Sequence, residues 1–283
     1  MSEERTRSLQ EALDAYGPLG VDVEGAIEQA RTVQLSVHCW QGDDVRGYEA
    51  GAGEPGGGLA VTGQYPGRAR TPEELRLDLD VALSLAPGRH RLNLHAIYAE
   101  PSGTAPDRAT LRPDHFARWI DWAAERGMGI DFNATLFSHP MAASGLTLAH
   151  PDARVRGFWV DHVRACRSIG AQIGRRLGTA CLHDLWIPDG SKDECVDRQA
   201  HRLRLLASLD EIYAERHDPA CLKDALESKL FGIGSESFVV GSHELYLGYC
   251  QAHGLLPCLD LGHFHPTESV ADKISALLPF HSE

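Results

Sequence analysis

The sequence predicts an α/β fold of repeated strand–helix units, on three observations. Six short β-rich runs, at 33–40, 91–98, 129–137, 181–188, 224–232 and 256–263, alternate with helical patterns at about 72–86, 112–127, 152–178, 194–216, 236–253 and 267–278. Polar and chemically active residues gather toward the C-terminal ends of the β-rich runs. The first run leads into His38-Cys39-Trp40-Gln41-Gly42-Asp43-Asp44 and not into a glycine-rich phosphate loop. Such alternation implies parallel strands with right-handed crossovers, in a doubly wound sheet or a (β/α)8 barrel, and the placement of the polar residues favours the barrel.

From the start of the chain, MSEERTRSLQEALDAYG is charged and amphipathic and lacks an apolar signal core, so residues 1–31 are expected to be helical and the barrel strands to begin near residue 33. The stretch Gly51–Gly67 has irregularly spaced glycines and reads either as a long loop over the barrel mouth or as a solvated surface loop. Thr71-Pro72-Glu73-Glu74 has the Thr-x-x-Glu pattern of a capping box with proline in the first turn, fixing a helix start. A complete barrel takes eight strands and six are counted before Glu283. The expectation is a single partial barrel domain over 1–283 with unpaired strand edges and exposed apolar surface, prone to misassembly.

Composition limits the partners. With 283 residues, 43% of them apolar, the chain is long enough for a large core. A formal net charge of −13 without a basic run argues against nucleic acid or an anionic membrane surface, and against a nuclease reading of any metal site. The seven cysteines are scattered and form no CxxC pair, which disfavours a disulfide framework or a cysteine zinc site and fits a reducing cytoplasm. No apolar run approaches the length of a membrane span.

The candidate chemistry concentrates in the last two β-rich runs. Glu227 and Lys229 are two apart and would share a strand face, while Asp260, His263 and His265 crowd the end of the sixth run. Carboxylates and imidazole suit a divalent cation such as Mg²⁺ or Mn²⁺. The same residues also read as a buried Glu227–Lys229 ion pair beside an ordinary hydrogen-bonded His263. His95, ending the second run, is a candidate general acid or base or a structural histidine. Trp40, Phe132 and Trp186 sit near strand ends, as walls for the apolar faces of a sugar or as core. Asp43, Asp44, Asp189 and Asp193 are candidates for hydrogen bonds to polyol hydroxyls, or are solvated loop carboxylates. No GxSxG elbow marks serine catalysis.

HCWQGDD (38–44), TGQYPG (62–67), LNLHAIY (92–98), DFNATLFSHP (131–140), WIPDG (186–190), ESKLFGIGSES (227–237) and LDLGHFHPTE (259–268), in this order, resemble the L-rhamnose isomerase family nearly from end to end. The resemblance implies a TIM barrel of the xylose-isomerase-like type, two divalent metals at its C-terminal mouth, and cytoplasmic interconversion of L-rhamnose and L-rhamnulose, an intramolecular oxidoreduction. It implies Glu227, Asp260 and His263 as metal ligands, with Asp260 between the two metals. It also implies catalytic parts for Lys229, His95 and Asp260, with Trp40, Phe132, Trp186, His95 and Lys229 against the sugar. The cofactor expectation is Mn²⁺, with Mg²⁺, Co²⁺ or Zn²⁺ as other candidates, and the family's assembly is a homotetramer.

The implied reaction opens the cyclic aldose, chelates its O1 and O2, and moves hydrogen between C1 and C2, as hydride or through an enediol. Relatives continue past the position of Glu283 through another metal-binding histidine, an Asp-x-Asp pair and a further aspartate. Little activity is therefore expected of the chain alone, and its tetramer is doubtful. The alternatives are an isomerase of a related deoxy or rare sugar, or a catalytically inert fragment.

Overall fold

A computed structural model describes residues 3–49, 68–103, 106–193, 195–229 and 237–280, so the expected mouth loop at 51–67 lies outside the described residues. The chain opens with two helices, α1 (Glu3–Tyr16) and α2 (Val23–Thr32), which cover the helical segment expected before residue 31. Strand β1 (Leu35–His38) follows, then α3 (Pro72–Leu85), β2 (His90–His95), α4 (Ala117–Glu125), β3 (Gly129–Asn133) and α5 (Ala153–Leu177). The second half holds β4 (Cys181–Trp186), β5 (Gly190–Ser191), α6 (Arg198–Tyr213), β6 (Leu222–Glu227), β7 (Phe238–Val239), α7 (His243–His253), β8 (Leu256–Cys258) and α8 (Val270–Leu277). No helix among the described residues is long and apolar enough to cross a membrane.

The six longer strands correspond to the six β-rich runs and pair in parallel as two sheets, β1-β2-β3 and β4-β6-β8. The architecture is α/β with a helix after every one of these strands. The sheets meet where β3 lies beside β4, and there a side chain replaces the ladder: Asp131 Oδ1 accepts from the Leu182 amide at 2.9 Å. No closed sheet is found among the described residues, in which β1 pairs only with β2 and β8 only with β6.

Several boundaries differ from the periodic reading. The first three strands stop short because the chain tightens beyond them into 3-10 turns or irregular backbone, as at Cys39–Gly42 and Ala96–Tyr98. Phe238–Val239 is a strand in a stretch read as helix: its β-branched and aromatic residues pair antiparallel with β5. Thr71 caps α3 through its Oγ1, which accepts from Glu74 N at 3.2 Å. The Glu74 carboxylate closes on Arg70 instead, accepting its backbone amide at 2.7 Å and pairing with its guanidinium.

The core lies between the helices and the sheets. In β3, Ile130 and Phe132 point to the helix layer, where Phe132 is fully buried edge-on to Phe116 at 4.8 Å. Asp131 and Asn133 take the opposite face by strand alternation. Helix α5 approaches the sheet closely at Gly174, where a Cβ would stand 1.9 Å from the Cys221 carbonyl oxygen. Farther along the same helix Arg167, 1% exposed, donates to both Asp224 oxygens of β6, at 2.9 and 2.8 Å, and to the carbonyls of Ile212 and Glu215.

Candidate metal centre

The C-terminal ends of β6 and β8 bring three donors together. Glu227 is the last residue of β6, Asp260 lies two residues past β8, and His263 closes the short turn Leu261–His263 that Asp260 caps through the Gly262 amide. His263 Nδ1 is 3.1 Å from Glu227 Oε1 and its Nε2 is 3.3 Å from Asp260 Oδ2. Nδ1 also lies 2.8 Å from the Ser228 carbonyl, which fixes the ring in the site. One ligand atom from each of the three residues falls within 4.8 Å of the others.

A second trio shares Glu227. Asp184 on β4 and Cys258 on β8 place a carboxylate oxygen and Sγ within 4.8 Å of the Glu227 carboxylate and of each other. Burial pushes the Glu227 carboxyl up to about 7, with Asp260 adding to the rise and a hydrogen bond with Asp184 opposing it. Burial, followed by the charge of Glu227, drives Asp184 well above the carboxylate range. Asp184 Oδ1 is buried with no hydrogen-bond partner. Converging buried carboxylates of this kind call for a positive charge, and a divalent cation with oxygen and imidazole ligands fits them.

Lys229 lies beyond the end of β6, so strand alternation does not set its direction. It is 1% exposed, its Nζ donates to the Pro188 carbonyl at 3.1 Å, and it lies 5.3 Å from the Trp186 ring centroid. Among the described residues no Glu227–Lys229 ion pair is found; Glu227 faces His263, and Lys229 meets Pro188 and Trp186.

An aromatic row extends from His263 across both sheets. Trp186 stacks toward His263 at 6.4 Å, Phe137 meets Trp186 at 5.9 Å, His95 meets Phe137 at 6.3 Å, Trp40 stacks on His95 at 5.4 Å, and His38 lies 4.9 Å from Trp40. His95 is buried and, chiefly through desolvation, its pKa falls to about 3, so its imidazole is neutral near pH 7. Desolvation also lowers His38, against the opposing charges of Asp260 and Asp131.

Phe132 is not part of this row. Alternation turns it into the core against Phe116, and Phe137 stands beside His95 in its place. Phe137 is held by Arg108, which donates to the carbonyls of Thr135 and Phe137 at 2.8 and 2.6 Å and pairs with Glu49. Asp43 and Asp189 are buried and fully used inside the fold. Asp43 accepts from the Tyr98 hydroxyl and the Gly47 amide, and Asp189 from the amides of Thr147 and Ala149 and the Thr147 hydroxyl. Burial lifts Asp189 to about 6 in spite of these donors. Asp44 is half-buried in a left-handed turn (φ 61°), and Asp193 is exposed.

Sequence reasoning missed Asp184, Cys258 and Phe137. A usable signal existed for Asp184, an acid inside the otherwise apolar strand run CLHDLW. None existed for Cys258, because its partners come from different strands and cysteine spacing cannot register them.

Carboxylates and an imidazole gathered at strand C-termini make this the candidate cation centre of a parallel α/β protein. The family model described as L-rhamnose isomerase (RhaA) matches residues 4–283. The chain is 52% identical over 277 residues to an L-rhamnose isomerase of Rhodopirellula baltica, 53% over 278 residues to one of Pectobacterium carotovorum, and 51% over 278 residues to one of Salmonella paratyphi B. These alignments cover 98% of the chain in each case. The chain belongs to the L-rhamnose isomerase family. It spans 65–66% of the length of these curated relatives.

Proposed function

We propose that the protein is a divalent-cation-dependent aldose–ketose isomerase that converts L-rhamnose to L-rhamnulose in the cytoplasm. Its six parallel strands form part of a single (β/α)8 barrel domain, and the active assembly is a homotetramer. The observation that carries the reading is the joining of two features at one end of the strands. The cation ligands Glu227, Asp260 and His263 continue directly into the row Trp186, Phe137, His95 and Trp40. Aromatic faces of this kind suit the apolar faces of a sugar ring, and oxygen ligands suit a cation that holds its hydroxyls.

Two cations, Mn²⁺ in preference to Mg²⁺, Co²⁺ or Zn²⁺, supply Lewis acidity toward the sugar's carbonyl and hydroxyl oxygens when bound. Glu227, Asp260 and His263 hold them. His95, neutral and stacked on Trp40, would accept a hydrogen bond from a sugar hydroxyl and orient it during ring opening. Lys229 adds positive charge beside the oxygen that becomes alkoxide, and the Trp186 ring keeps water from it. Family membership at about half identity over nearly the whole chain supports L-rhamnose over other aldoses.

The test is ketose formation from a panel of aldoses with Mn²⁺ present. It is run on the chain and on the chain joined to the part of the Rhodopirellula relative that the alignment leaves uncovered. L-rhamnose as the fastest substrate in at least one form, with a loss of about 100-fold or more in Glu227→Gln, is the expected result. No ketose from any aldose in either form overturns the reading.

A further inference from the structure

We propose that Asp184, Glu227 and Cys258 form a thiolate-containing site for a thiophilic divalent cation of the Zn²⁺ or Co²⁺ class, with a ligand set different from that of Glu227, Asp260 and His263. The three residues come from neighbouring strands β4, β6 and β8, and the pairing registers hold them together. Glu227 is opposite Cys258 in one ladder and opposite Trp186, two residues past Asp184, in the other. Their ligand atoms lie within 4.8 Å of one another. Asp184 is only 9% exposed, and its Oδ1 is buried without a hydrogen-bond partner.

The donor chemistry decides the class of cation. Mg²⁺ and Mn²⁺ favour all-oxygen or oxygen and imidazole sets, whereas a sulfur donor selects Zn²⁺, Co²⁺ or Cd²⁺. Three protein ligands leave one coordination position open, as in tetrahedral zinc sites that hold water or a small ligand. On binding, Cys258 releases its thiol proton to solvent as the sulfur–metal bond forms. Glu227 belongs to both trios, so its carboxylate would be shared between the two ligand sets. The inference needs only these side chains and does not rest on the isomerase reading.

The experiment titrates the 283-residue chain with Co²⁺ and records its absorption spectrum. A sulfur-to-cobalt charge-transfer band in the near ultraviolet, saturating at one Co²⁺ per chain, is expected. Zn²⁺ displaces it and Mg²⁺ does not. Cys258→Ser abolishes the band, His263→Ala retains it, and Asp184→Asn weakens the Co²⁺ affinity read from it by roughly 10- to 100-fold. Absence of the band, or its persistence in Cys258→Ser, overturns the proposal. Should Cys258→Ser lose its circular-dichroism signal, ¹¹³Cd resonance of the unmodified chain replaces it. A sulfur-shifted line supports the site and an oxygen-only line overturns it. A band without isomerisation, or isomerisation without a band, separates this proposal from the preceding one.

Discussion

Replacing Arg167 by methionine tests how β6, the strand that ends in Glu227, is anchored. The guanidinium is 1% exposed and makes two hydrogen bonds to Asp224, at 2.9 and 2.8 Å, and two to the carbonyls of Ile212 and Glu215, at 2.7 and 2.9 Å. It also lies 4.8 Å from the Tyr213 ring. Its removal leaves Asp224, whose side chain is 10% exposed, with His183 Nδ1 at 3.4 Å as its remaining side-chain neighbour of this kind among the described residues. Breaking a buried pair from one side costs about 3–5 kcal/mol, while replacing both partners with apolar groups is far milder. Arg167→Met is therefore expected to lose about 3–5 kcal/mol in urea unfolding, and Arg167→Met with Asp224→Leu to recover much of it.

The pH dependence provides a second reading of the same contact. Burial raises the Asp224 carboxyl, but hydrogen bonds from His183 and Arg167 outweigh it and hold the group at about 2, against an ordinary 3.8. A lowered carboxyl pKa contributes stability that is complete above pH 3.8 and disappears as pH falls through 2. At 1.36 kcal/mol per unit this amounts to about 2 kcal/mol. Without Arg167 part of that lowering is lost, so the deficit of the variant shrinks as pH falls below 3.8 and the carboxyl protonates. A loss under about 1 kcal/mol, or a deficit that grows on acidification, would refute the assignment of Arg167 as the anchor.

Three further outcomes are expected. Mn²⁺ at 100 times its dissociation constant raises the stability of the chain by about 2.7 kcal/mol through linkage, and calorimetry of Asp260→Asn and His263→Ala shows the gain lost. Gly174→Ala destabilises by about 1–3 kcal/mol in denaturant titration despite alanine's better helix propensity, because the Cβ meets the Cys221 carbonyl at 1.9 Å and backbone cannot step aside. Since His95 is held at about 3, in whichever form of the protein yields ketose His95→Asn lowers the rate without moving the acid limb of its pH profile between pH 5 and 8. A shifted limb would show that His95 titrates there.

The repeating order of the fold was legible because each strand run carries its own period and each helix its own boundary chemistry, as at Thr71. Glu227, Asp260 and His263 were legible because they crowd strand ends, and the structure brings all three together. Of the two readings open for Phe132 the structure has the core one, because a residue near a strand end points to one of two faces. Alternation with Asp131, whose partner Arg91 lies on the other face, decides which. Asp189 looked like a loop carboxylate because its donors, Thr147 and Ala149, sit about forty residues earlier in the chain. Local pattern reveals elements and their ends, while contacts between distant segments appear only when the chain is folded.

The meeting of β3 with β4 has a mechanical consequence. Trp40, His95 and Phe137 belong to the first sheet and the loops beyond it, whereas Trp186, Glu227, Asp260 and His263 belong to the second. Two of the contacts that join these groups stand at opposite ends of the seam. One is the Phe137–Trp186 ring contact at the working end, and the other is Arg91, which grips Asp131 and the Ala180 carbonyl toward the opposite end, where Asp131 takes the Leu182 amide. The separation between the aromatic row and the Glu227, Asp260 and His263 group is thus set at the β3–β4 seam, where an arginine–aspartate pair far from both takes part in holding the two sheets together.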